Sequence, residues 1–294
     1  MAISISKKDN LTLYLFTLPG VFLFIFLFLV PAIMAFYYSF TDWNGISSEY
    51  NFIGIDNFIK MFTDRRVSYS LKFSLNFTLF FVIITNFVAL ALAFMLNAKI
   101  KAKTFFRGIY FFPAVISLVV VGLIFDQIFF HVLPIIGKSL GIELLSRSPL
   151  GNKDLAPIAV FFVKVWREIP VPTILFIAGL QSVPKDLLEA AVIDGAGWFS
   201  RFKHVVIPFL IPVISMNIVL TVRSGVMVFD VIKVMTSGGP GYSTSSIGII
   251  IYNMGFYEMK FGFATSISLF LFLIIAVISF AQITILKSKG TGQL

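Results

Sequence analysis

The sequence predicts an all-α polytopic membrane protein, with six transmembrane helices and both termini on the cytoplasmic side. Three observations carry this. Of 294 residues, 58% are hydrophobic and 13% charged, with a mean hydropathy of +0.96, whereas soluble domains are about 25% charged. Six stretches approach or exceed the roughly 20 apolar residues that a spanning helix needs, at about 12–40, 71–97, 106–130, 156–181, 206–229 and 262–286. Short basic connections alternate with longer, mixed ones, and the basic side is the cytoplasmic one.

The first stretch follows Lys7 and Lys8 as a signal peptide would. It is far longer than a signal h-region and lacks a small-x-small cleavage site, so it is expected to stay as the first span, kinked at Pro31. Thr41 to Ser70 is read as an external loop that holds the amphipathic run FIGIDNFIKMF. Span two leads to a basic cytoplasmic loop with Lys99, Lys101, Lys103 and Arg107. After span three, His131 to Leu155 is a Gly- and Pro-punctuated external loop. Span four ends at the 182–208 stretch, which carries Lys185, Arg201 and Lys203 and is cytoplasmic. Span five leads outside to Asp230–Phe261, with TSGGPGYSTSS at Thr236–Ser246 and the partly apolar run IGIIIYNMGFYEM. Span six returns to a tail with Lys287 and Lys289. One transmembrane domain over 1–294 is expected.

Composition excludes several classes. There is no cysteine, hence no disulfide framework, thiolate metal site or cysteine nucleophile. The net charge of +9 suits basic loops against anionic lipid headgroups; no basic domain exists to hold nucleic acid. Gly137-Lys138-Ser139 looks like the end of a phosphate-binding loop, but Val132 stands where its first glycine is required. His131 and His204 have no metal-ligand spacing around them, and no paired carboxylates or Ser/His/Asp set suggest hydrolysis. No catalytic residue, cofactor or metal is expected in this chain.

The 182–208 stretch, SVPKDLLEAAVIDGAGWFSRFKHVVIP, is too charged for a bilayer core. Pro184 suits a helix start. Leu187, Leu188, Ala191 and Val192 recur at helical spacing, and Gly195 and Gly197 end or bend the helix. A second short amphipathic run follows from Trp198 to Val206. The expected element is a helix–turn–helix at the membrane surface. It either covers lipid headgroups or is gripped by something outside the membrane.

From Glu189 the pattern is E-A-A, three residues, Gly195, nine residues, then V-V-I-P closing at Pro208. This resembles the EAA loop of the membrane subunits of ABC importers. With Ile177-Ala178-Gly179-Leu180-Gln181, the TSGGPGYST loop and FIGIDNF, it is similar to the carbohydrate-uptake branch: maltose-, multiple-sugar- and glycerol-phosphate-type permeases. The resemblance implies a type I ABC importer permease fold in a bacterial cytoplasmic (inner) membrane. It implies a second homologous permease subunit, two cytoplasmic ATPase subunits that hold ATP and Mg, and an extracellular substrate-binding protein. It also implies that Glu189, Ala190, Ala191, Asp194 and Gly195 couple the chain to an ATPase. Small Ala190 and Ala191 permit close packing into a groove, Glu189 offers a charge-assisted contact, and Gly195 allows a turn that a Cβ would obstruct.

The substrate path is sought among polar groups within spans, which are costly there. Lys164, Arg167 and Glu168 share one face of span four, beside Trp166 and before Pro170 and Pro172. The two prolines should free carbonyls toward a cavity. Asn217, Thr221, Ser224 and Gly225 recur along span five. Donors, acceptors and an aromatic platform suit a sugar, and the surplus positive charge raises an acidic one. The structural alternatives are a Lys164–Glu168 bridge that braces the bundle and small-residue helix packing in span five. A rival reading from another class is an ion-coupled secondary transporter that uses Lys164 and Glu168.

Overall fold

The computed structural model describes residues 7–98 and 103–290. Lys99 and Lys101 of the basic loop lie outside these. Apart from one isolated antiparallel bridge between Thr41 and Phe52, the regular structure among the described residues is helical. Five helices are long and apolar enough to cross a membrane. The chain falls into two compact units, residues 1–64 with 251–273 and residues 65–250 with 274–294.

In the first unit, α1 (Lys7–Phe24) runs through a π-helical turn, Ile25–Leu29, into α2 (Val30–Tyr38). The expected kink at Pro31 takes this form: proline lacks an N–H, and a wider turn just before it absorbs the lost ladder bond. None of the apolar window of Leu15–Tyr38 is buried, so this span leaves an apolar surface open. The loop after it is tightly tied. Asn57, at the start of α3 (Asp56–Thr63), is buried and donates through Nδ2 to the Ser39 and Thr41 carbonyls at 3.0 and 2.8 Å. Trp43 stacks on Tyr38 with ring centroids 4.0 Å apart and meets Phe261 edge-on at 5.1 Å. Such amphipathic rings suit a membrane–water interface.

In the second unit, α4 (Arg65–Asn97) is the axis. At 33 residues it is about 50 Å long. Its buried residues, Ser70, Ser74, Phe77, Thr78, Phe81, Thr85, Ala89, Ala93 and Leu96, recur at helical spacing and are mostly small. Without water to expel, helices in lipid associate through close backbone approach, which small residues permit. Against this stripe pack α9 (Pro170–Gln181) and α12 (Ile207–Val226). Gly225 of α12 shows how close: a Cβ there would lie 2.9 Å from Thr78 Cγ2 and 3.1 Å from Thr78 Cα.

Two helices differ from the sequence expectation. The stretch at 106–130 is not one helix: α5 (Lys103–Val115) stops, Ser117 is extended with ψ 137, and α6 (Leu118–Gln127) starts anew. Pro113 inside α5 removes a ladder donor just before that break. The apolar helix then continues through a π turn, Ile128–Val132, into α7 (Leu133–Ser139). The external loop expected from His131 therefore begins after Ser139. Pro134 does not stop the helix because it falls in the first turn of α7, where its N–H is not needed.

Two apolar clusters fill this unit. One gathers Phe77, Phe81, Val160, Val163, Val231, Ile232 and Ile249. The other gathers Ala89, Ala93, Phe176, Ile177 and Leu210. Between the two clusters, α4, α9 and α12 bury polar side chains, Thr85, Thr173, Asn217 and Thr221, and α8 (Leu155–Glu168) buries Lys164 at the edge of the first cluster.

Candidate functional site

Two elements carry functional chemistry. The first is the helical hairpin after span four. Lys185–Ile193 forms α10, with extended Pro184 as its N-cap and Asp186 in its first turn, a favourable place for an anion. It ends in a Schellman motif: the Ala196 N–H donates to the Ala191 carbonyl at 2.9 Å and the Gly195 N–H to the Val192 carbonyl at 3.0 Å. Gly195 holds φ +74 with nothing near its missing Cβ. Backbone conformation alone therefore requires glycine there. Trp198–Arg201 forms α11, and the π turn Phe202–Val206 joins it to α12.

No residue of α10 is buried. Glu189, Ala190, Asp194 and Gly195 are exposed and Ala191 is half-buried. Leu187, Val192, Ile193, Trp198 and Phe199 are exposed as well, Ile193 by 85%. An apolar and acidic surface is thus presented on a preformed helix, and none of the described residues covers it.

The second element is the polar seam between the two apolar clusters. Lys164 of α8 is 6% exposed. Its Nζ donates to Glu168 Oε1 at 3.0 Å and to Ser224 Oγ of α12 at 2.8 Å, and it lies 5.7 Å from the centroid of Phe81 on α4. One ammonium ties three helices. Pro170 and Pro172 break the α8–α9 ladder at Ile169, so the Trp166 and Glu168 carbonyls lack an i+4 donor. Just past this break, Asn217 donates through Nδ2 to the Pro172 carbonyl at 3.3 Å. Thr221 donates to the Asn217 carbonyl at 2.7 Å and accepts from Asn86 Nδ2 at 3.0 Å.

Lys164, Glu168 and Ser224 thus come together, as do Asn217 and Thr221. Arg167, half-buried, stands apart from the pair, and its Nε has no hydrogen-bond partner. Gly225 is a packing contact with Thr78. Trp166 packs edge-on against Phe125 at 5.2 Å. Sequence reasoning missed Thr85 and Asn86. Thr85 Oγ1, Asn86 Oδ1 and Asn217 Oδ1 are buried without partners, an uncommon state for buried polar atoms. An amide in the middle of an apolar span was the signal that could have found Asn86. Among the described residues, no group of three or more His, Asp or Glu is placed to hold a metal ion.

The family model for the binding-protein-dependent transport system inner membrane component matches residues 85–289. The chain belongs to this family. The permease is 42% identical over 257 residues to the multiple sugar-binding transport system permease protein MsmF of Streptococcus mutans, covering 87% of this chain and 89% of that one. It is 30% identical to the trehalose/maltose transport system permease protein MalF of Thermococcus litoralis, covering 89% of each. A crystal structure of a bacterial ABC transporter involved in import of the acidic polysaccharide alginate shares the fold, with a TM-score of 0.82 at 20% identity and 96% of each chain covered. The permease is a multi-pass membrane protein, and the resemblance read from Glu189 to Pro208 stands.

Proposed function

We propose that this chain is the membrane-spanning permease subunit of an ATP-driven, binding-protein-dependent importer of a sugar or oligosaccharide, in a bacterial inner membrane. The observation that carries the coupling reading is α10: a capped helix carrying the E-A-A spacing, outside the long apolar helices, with its apolar side chains open. Such a surface takes a partner. Two cytoplasmic ATPase subunits would hold ATP and Mg and grip α10 through Glu189, Ala190, Ala191, Asp194 and Gly195. A second, homologous permease would complete the pathway, and an extracellular binding protein would deliver the sugar. With six spans and both termini cytoplasmic, as the sequence is read, α10 would lie on the ATPase side. The named sugar permeases among the relatives support the substrate class.

The polar seam is the proposed substrate path. Its unpartnered oxygens, Thr85 Oγ1, Asn86 Oδ1 and Asn217 Oδ1, are acceptors matched to sugar hydroxyls once the helices part. Lys164 is already neutralised by Glu168. The unpaired charge beside the seam is that of Arg167, and there a carboxylate on an acidic sugar would be received. The ion-coupled alternative loses ground with the family match. Copurification tests the proposal: the tagged permease should bring down an ATPase, and uptake should stop on ATP depletion but survive an uncoupler. The reverse pattern would overturn it.

A further inference from the structure

A cavity of about 470 Å³ lies between the first half of α4 and the start of α8, apart from the seam. Its walls are Tyr69, Phe73, Phe77, Phe80 and Ile84 on one side and Pro157, Ile158 and Phe161 on the other. Two polar side chains enter this aromatic lining, Lys72 and Asn76, both exposed. Its size and composition fit a ligand site, in which apolar walls surround a few orienting polar groups.

The polar pair argues against plain lipid contact. Asn76 sits just over a turn further into the span than Lys72, and an amide facing hydrocarbon without a partner is costly. Snorkelling at the interface would account for Lys72 alone; Asn76 is too short for that. The aromatic rings are fixed: Phe77 meets Phe161 edge-on at 5.3 Å and Phe73 at 5.7 Å. Fixed ring faces beside an amide and an ammonium are the parts that bind a pyranose, the rings taking its C–H face and the polar groups its hydroxyls. The cavity also points the right way. Phe161, Lys164 and Glu168 follow one another at helical spacing on α8. Phe161 lies about 10 Å along that face from Glu168.

We propose that this cavity is an entry subsite for a sugar ring, in which Asn76 and Lys72 bind hydroxyls, or a carboxylate where the sugar has one, and Phe161 with Phe73 supplies the stacking surface. It would hold a ring of the oligosaccharide before the seam does. This rests on the sugar-import reading above, and on the N-terminal half of α4 facing outside.

The absence of cysteine makes a direct test clean. In cells holding the complete importer, Asn76→Cys and Leu75→Cys are each treated from outside with the charged reagent methanethiosulfonate ethylsulfonate. Leu75 is exposed on a neighbouring face outside the cavity lining. Asn76→Cys should react about tenfold faster, a difference of about 1.4 kcal/mol in barrier. Equal or slower reaction would mean that lipid or the second permease fills the groove, and would overturn the proposal. Uptake is then measured with whichever of maltotriose, raffinose or trigalacturonate the wild type imports. Asn76→Ala and Phe161→Ala should raise KM about tenfold with maximal rate retained, and Phe161→Tyr should restore it. An unchanged KM in both alanine variants would overturn the subsite. If the wild type imports none of the three, the cavity is judged by labelling, with protection of Asn76→Cys by each sugar as the arbiter. Fast labelling without protection would remove the sugar from it. Import driven by an ion gradient would instead strike at the ATP-driven reading and leave the labelling result standing.

Discussion

Replacing Lys164 by Met separates a brace from a path. Lys164 is 6% exposed, and its ammonium is shared by Glu168 and Ser224. Methionine keeps the length and removes the charge. The Glu168 carboxylate then stands uncompensated, and Ser224 Oγ loses its donor. Breaking a fully buried pair from one side costs about 3–5 kcal/mol. Glu168 keeps 24% of its side-chain surface exposed, so the expected cost falls to about 2–3 kcal/mol after screening. Removing both charges, as Lys164→Met with Glu168→Leu, should cost less than about 1 kcal/mol. Glu168→Leu alone leaves Lys164 unpaired and should cost a similar amount, so the coupling in the double-mutant cycle is about 3–5 kcal/mol. The assay is unfolding of the purified complex in mixed micelles of detergent and SDS, with each single and the double variant beside the wild type. A single variant no more costly than the double would refute the reasoning, because the pair would then not be desolvated. Uptake decides the rest: a stable double variant without transport keeps the pair on the path, and one that transports normally makes it a brace.

Other predictions follow from single contacts. Gly225→Ala drives a methyl against Thr78, whose Cγ2 lies 2.9 Å from the built Cβ, and should destabilise by about 1–3 kcal/mol in the same assay; Thr78→Ser should recover part of it. Gly195→Ala places a Cβ at φ +74 with open space around it. It should cost about 1 kcal/mol and show as lower ATPase stimulation with normal expression, and Gly195→Asn should be milder. The Asp42 carboxyl lies below the usual carboxylate range, because the Asn51 backbone N–H and then its side-chain amide donate to it at 2.7 and 3.1 Å. With the folded value lowered, its contribution is present above the unfolded pKa and lost as pH falls through the folded one. Protection factors for hydrogen exchange in the 41–52 loop, taken against the intrinsic rate at each pH, should therefore stay flat from neutrality down to about pH 4 and fall only below it. A fall at pH 6 would contradict this.

Much of the fold was legible because apolar length is the dominant signal in a membrane protein. The 182–208 hairpin was legible in detail, down to the glycine, since Gly195 marks a helix end by a conformation that other residues resist. Helix ends inside apolar stretches were not. Val115 and Leu118 lie in one apolar run, and the break between them comes from backbone choices at Ile116 and Ser117 that hydropathy does not register. Likewise Pro134 read as loop, because a proline in the first turn of a helix looks in sequence like one that ends it. At the seam, the Lys164–Glu168 pair followed from i,i+4 spacing. The tie to Ser224 and the pairing of Asn86 with Thr221 join residues 60 and 135 positions apart, which spacing cannot reveal. Gly225, read as a place on the substrate path, is where two helices touch.

The central claim is that ATP hydrolysed by a partner gripping α10 drives transport through this chain. It is tested most directly by uptake into proteoliposomes that hold the complete importer, with ATP or a non-hydrolysable analogue at the ATPase face. Ile193, 85% exposed on α10, is changed to Asp in a parallel preparation. The account predicts uptake with ATP alone, and loss of both uptake and ATPase association in the Ile193→Asp preparation. Uptake supported by an ion gradient without ATP, or untouched by Ile193→Asp, would contradict it.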